Sequence, residues 1–63
     1  MEKGNVIVYD GCVFVVTNVT PNGLFIDLEC LYTCSMNNTI YTVGDKVKGF
    51  SFKNKKYKKL NLS

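Results

Sequence analysis

The sequence predicts an all-β protein: a small closed or nearly closed barrel of five short strands. Three observations lead there. Residues that favour helix are scarce: there is no alanine, glutamine or arginine, and no 3.6-residue apolar spacing outlasts one turn. β-branched and aromatic residues are abundant, as strands require. Turn signals (Asp10-Gly11, Pro21-Asn22-Gly23, Gly44-Asp45) recur between the apolar runs. The chain of 63 residues makes one domain, residues 1–63. A domain this small buries only about 60% of its unfolded surface. Closing the sheet would remove exposed edges that promote aggregation.

Asn5 to Tyr9 is a short β-branched run, and Asp10-Gly11 supplies the positive φ angles of a tight hairpin. Cys12 to Thr20 is a longer second strand. Proline in Pro21-Asn22-Gly23 fixes one φ, while Asn and Gly tolerate the left-handed region. Leu24 to Leu31 alternates, with Leu24, Ile26, Leu28 and Cys30 expected in the core and Phe25, Asp27, Glu29 and Leu31 on the other face. Phe25, beside two acids, needs a second layer of protein or a ligand. Tyr32 to Met36 reads as a short strand, Met36 to Thr39 as a loop or one helical turn, and Ile40 to Val43 as a lead into the Gly44-Asp45 turn. Lys46 to Lys53 and Lys56 to Leu62 are expected to form a final hairpin around Asn54-Lys55. Phe14 alternates with Cys12 and Val16 and is expected in the core. Phe50 and Phe52 share a strand face and are expected to be buried as well.

Charge is split along the chain. Residues 46–63 hold seven of the eight lysines and no acid, whereas residues 1–45 hold one lysine and all five acids. A dense charge of one sign at one end of the chain points to an anionic partner. Lysine neutralises phosphate, and the interleaved aromatics can stack on unpaired bases. Lysine without arginine suits phosphate contact more than base reading, so low sequence selectivity is expected.

Catalysis and metal binding find little support. The chain has no histidine, no glycine-rich phosphate loop, and no base or partner acid near Asp27 and Glu29. The protein is therefore expected to be no enzyme, with no cofactor, no metal and no small-molecule substrate. Cys12, Cys30 and Cys34 lack zinc-knuckle spacing and read as small buried or half-buried hydrophobes in a reducing compartment. No apolar run approaches the ~20 residues of a membrane span. The start, MEKGN, has no signal-peptide pattern, so a cytoplasmic protein without membrane association is expected. On that reading the three Asn-x-Ser/Thr triplets at Asn18, Asn37 and Asn61 carry no meaning.

Two ordered segments carry a family resemblance. Val16 to Leu28 (VTNVTPNGLFIDL) resembles the VxxVxxxGxFVxL centre of S1 RNA-binding domains. Val43-Gly44-Asp45-Lys46-Val47-Lys48, followed by Lys56 and then Leu60-Asn61-Leu62-Ser63, resembles the S1 ending. Together they cover about half of the chain. The resemblance implies an OB-fold of S1 type, atypical and shortened, with an SH3-like barrel as the second choice. It carries over Phe25 as the central stacking aromatic and Lys59 as the basic residue before the closing strand. The chain departs from the pattern in several places, among them a shorter connection between strands three and four and the lack of an acid near Lys55. Phe14 stands where a glycine is usual, and Asn22 where a stacking aromatic is usual. Leu31 to Ser35 lacks the family's histidine, for which Tyr32 substitutes.

The expected nucleic-acid-binding residues are Phe25, Tyr32, Lys48, Lys53, Lys55, Lys56, Tyr57, Lys58 and Lys59. The expected partner is single-stranded or structured RNA, alone or within a larger ribonucleoprotein or polymerase, in translation, transcription or RNA turnover. The alternative is a protein-interaction module: an S1-like mimic, of the kind viruses use, or a domain docking on the polymerase or translation machinery without touching RNA.

Overall fold

The computed structural model describes residues 1–60; the expected strand end at Leu62, the last residues of the S1-like ending and the Asn61 triplet lie outside them. Among the described residues there are seven strands: β1 (Val6–Tyr9), β2 (Cys12–Val19), β3 (Ile26–Cys30), β4 (Cys34–Met36), β5 (Thr39–Tyr41), β6 (Lys46–Phe50) and β7 (Lys58–Leu60). Five form one antiparallel sheet in the order β6-β3-β2-β1-β7, and β4 and β5 form a separate hairpin. The all-β class is as the sequence predicts. No helix of the described residues is long and apolar enough to cross a membrane.

Local chemistry accounts for the hairpins. Asp10 and Gly11 take φ of 51° and 80° between the paired residues Tyr9 and Cys12. That is the two-residue turn whose twist matches its strands. Asn37 and Asn38 do the same between Met36 and Thr39, with φ of 51° and 64°. The expected loop or helical turn is therefore a hairpin, because asparagine tolerates the left-handed region that such a turn demands twice.

The sheet bends around Asp27. On one side β2 carries an extra residue between Val16 and Asn18, and on the other β6 carries one between Val47 and Phe50. Gly49 adopts φ 66° in the β6 bulge, and its N–H, freed from the ladder, donates to Asp27 Oδ1 at 3.0 Å. Paired bulges raise local twist and curl the strands. They also restore the inward register beyond them, so that Val19 and Phe50 pack against the core.

Ile7, Cys12, Phe14, Val16, Ile26, Leu28, Cys30 and Met36 are buried. Phe14 is in the core as expected, edge-on to Tyr41 of the covering hairpin at 6.0 Å. Leu24 is not: it is 61% exposed, because the chain is still turning there and β3 begins only at Ile26. The cysteines also differ from expectation. Cys12 and Cys34 form a disulfide with Cα atoms 5.7 Å apart, and Cys30 alone is a free, buried thiol. The bond ties β4 to the β1–β2 turn. Spacing along the chain concealed it, since folding brings together residues 22 positions apart.

The expected terminal hairpin does not form, and the sheet does not close. β6 pairs with β3 and β7 with β1, at opposite edges. A hairpin around Asn54-Lys55 would set lysines directly opposite one another, which is repulsive. Instead Lys55 N–H donates to the Phe52 carbonyl at 2.9 Å, closing a turn through Asn54 at φ 62°, and the connection crosses from one edge toward the other.

Candidate nucleic-acid interface

The crossing connection, residues 51–57, joins both sheet edges and carries the densest aromatic packing in the described chain. Phe50 and Phe52 lie edge-on at 4.8 Å between ring centres, and each meets Tyr9 at 5.5 Å. Phe52 in turn stacks obliquely on Tyr57 at 4.5 Å with 37° between planes. Phe50 and Phe52 are half-buried, not fully buried as expected, because the chain leaves the sheet at Phe50 and neither ring is enclosed by a closed barrel. Tyr57 is 45% exposed, so the stack ends on an open ring.

A concavity of about 330 Å³ lies against this stack. Its walls include Leu24 and Gly23 from the β2–β3 turn, and Phe52, Lys53 and Tyr57 from the crossing connection. The turn is held by Thr20, whose N–H donates to the Phe25 carbonyl at 3.0 Å and whose Oγ1 accepts the Phe25 N–H at 3.2 Å. Gly23, at φ 73°, donates its N–H to the Thr20 carbonyl at 2.8 Å. These bonds fix Leu24 as one rim of the groove.

The expected residues divide into three groups. Lys53 and Tyr57 share the groove, and Phe25 stands beside it, 45% exposed and next to the rim residue Leu24, though not itself a wall. Lys55 is already engaged: its Nζ donates to the Ser51 carbonyl at 3.0 Å and sits 4.3 Å over the Phe50 ring. The remainder are scattered. Tyr32, 65% exposed, follows the far end of β3, separated from Phe25 by a strand of roughly 16 Å. Lys48 is exposed on edge strand β6, and Lys56 is exposed in the connection. Lys58 pairs with Val8 and Lys59 with Ile7, so successive lysines of β7 point to opposite faces. The basic segment is thus a divided band and not a ridge on one face.

Sequence reasoning missed Leu24 as a rim, Ser51 as the tether of Lys55, and Tyr9 as the base of the aromatic cluster. The Phe50-x-Phe52 spacing carried the signal, but it reads equally as core filling. No group of three or more histidine, cysteine or acidic side chains among the described residues is placed to hold a metal. No protein-family model, curated protein or solved structure matches the chain.

Proposed function

We propose that the chain is a non-catalytic module that binds single-stranded RNA in the groove between the β2–β3 turn and the crossing connection. The observation that carries this reading is the open Tyr57 ring, stacked on Phe52 and sharing a concavity with Lys53. A base extends the stack by lying on the exposed ring, and sequence-tolerant stacking of this kind contributes about 1–3 kcal/mol per base. Lys53 meets the adjoining phosphate, Lys56 on the same connection adds a second charge, and Phe25 offers a further ring outside the rim. With no arginine in the chain, recognition rests on charge and stacking rather than on bidentate base contacts.

The strand order bears on the finer fold. In the five-stranded sheet the last strand, β7, lies beside β1 and the one before it, β6, beside β3, which is the connectivity of an SH3-like roll and favours that architecture over the OB-fold. The groove's aromatic lining beside Lys53 also supports a second reading, in which an acidic, extended peptide occupies it.

A backbone NMR titration with a short uridine-rich oligonucleotide tests the proposal, with an acidic peptide as the second arm. The expected result is shifts at Leu24, Lys53 and Tyr57 with RNA, weakening steeply as salt rises. Shifts confined to the peptide arm support the second reading, and none in either arm rejects both.

A further inference from the structure

Strands with one face in water alternate apolar and polar residues, whereas strands covered on both faces are apolar throughout. β3 alternates, with Asp27 and Glu29 between Ile26, Leu28 and Cys30. β1 and β2 do not. Between their inward residues stand Val6 and Val8, and Val13 and Val15. Register joins these four into one block, Val6 opposite Val15 and Val8 opposite Val13, on the face away from Ile7 and Phe14. All four are half-buried and none belongs to the core cluster.

The block has unlike borders. On the β3 side Val15 is opposite Glu29, which has Lys46 of β6 as its other neighbour across the ladder. On the β7 side Val8 is opposite Lys58. We propose that a second copy of this chain covers the valine block, packing sheet on sheet about a two-fold axis that runs along the strands between β1 and β2. Aligned sheets pack about 10 Å apart. Such an axis lays each β1 over the other copy's β2 and each β7 over the other copy's β3. Lys58 then reaches, along its flexible stem, toward Glu29 of the second copy, and the reciprocal pair forms at the other border. This self-complementarity is what singles out a copy of the chain over an unrelated partner, which would need no acidic and basic borders related by the two-fold. The groove at Phe52 and Tyr57 lies with the inward side chains and stays open, so the pairing is independent of RNA binding.

Sedimentation equilibrium of the full chain over a concentration series tests the pairing. The expected result is a reversible dimer. Val8→Thr with Val13→Thr keeps β-branching while making the block polar, and is expected to raise the dimer dissociation constant by roughly tenfold or more. Lys58→Glu, and Glu29→Lys made together with Lys46→Glu so that the ladder pair within the chain keeps opposite charges, are each expected to weaken the dimer, and their combination to restore it. A monomer at every concentration overturns the proposal. So does a dimer indifferent to the threonine substitutions, or one that the combined charge reversal fails to rescue.

Discussion

Tyr9 and Phe50 touch at 5.5 Å between ring centres although their strands, β1 and β6, are separated by β2 and β3 in the sheet. A flat sheet would hold those strands about 14 Å apart. The contact therefore measures how far the two bulges around Asp27 roll the sheet. Rings, not ladder hydrogen bonds, bridge the opening that a closed barrel would have sealed.

Removing either ring should loosen the roll. Phe50→Ala is expected to cost about 2–3 kcal/mol, below the figure for a fully buried phenylalanine because Phe50 keeps some exposure. Phe14→Ala, with its ring wholly enclosed, is expected to cost about 3–5 kcal/mol. Urea denaturation checks both, and an equal loss at the two sites would contradict the difference in packing.

The β6 bulge depends on a glycine and an acid together. A Cβ at Gly49 meets nothing within 4 Å, so Gly49→Ala is destabilising through its φ of 66° alone, by about 1 kcal/mol. Asp27→Ala removes the acceptor of the Gly49 N–H and is expected to cost about 1 kcal/mol at this exposed site. Because both changes fall on one bulge, where strain at residue 49 loosens the geometry that the Asp27 acceptor holds, the double variant should be less destabilised than the two separate losses added together.

The disulfide should be a major contributor to stability. Closing a loop of 22 residues is worth about 3 kcal/mol in the chain-entropy treatment. Thiol titration of the unfolded, unreduced protein is expected to find one reactive cysteine, Cys30, and reduction to expose all three while lowering the urea midpoint. Three thiols without reductant would disprove the bond.

Lysines of the crossing connection should differ in their effect on RNA binding. Lys53→Ala is expected to weaken binding more than Lys55→Ala, since the Lys55 ammonium is already held by Ser51 and the Phe50 ring. Tyr57→Ala is expected to cost about 1–3 kcal/mol of affinity, and Phe25→Ala less, because its ring stands outside the groove. Filter binding at two salt concentrations separates the charge effect from stacking. An equal loss at Lys53 and Lys55 would argue against the groove.

Much of this architecture is legible residue by residue. Asp10-Gly11 declares its hairpin because few residues accept two successive positive φ angles, and the alternation of Ile26, Leu28 and Cys30 declares an inward face. Leu24 misleads because alternation is counted from the first apolar residue, whereas burial starts only where pairing starts, at Ile26. The site is less legible than the fold. Lys53 and Tyr57 could be singled out by composition, but Leu24 and Tyr9 join them from turns and strands distant along the chain.

By itself, then, the order of residues determined the strand class, the tight turns and the concentration of positive charge near one end, since each follows from local stereochemistry or simple counting. Tertiary structure alone decided which strands became neighbours, that Cys12 would find Cys34, and that β7 would leave β6 for the edge of β1. Those choices are made among distant segments competing for the same apolar surface, where burying Phe50 and Phe52 against Tyr9 and keeping like charges apart outweigh the preference of two adjacent segments to pair.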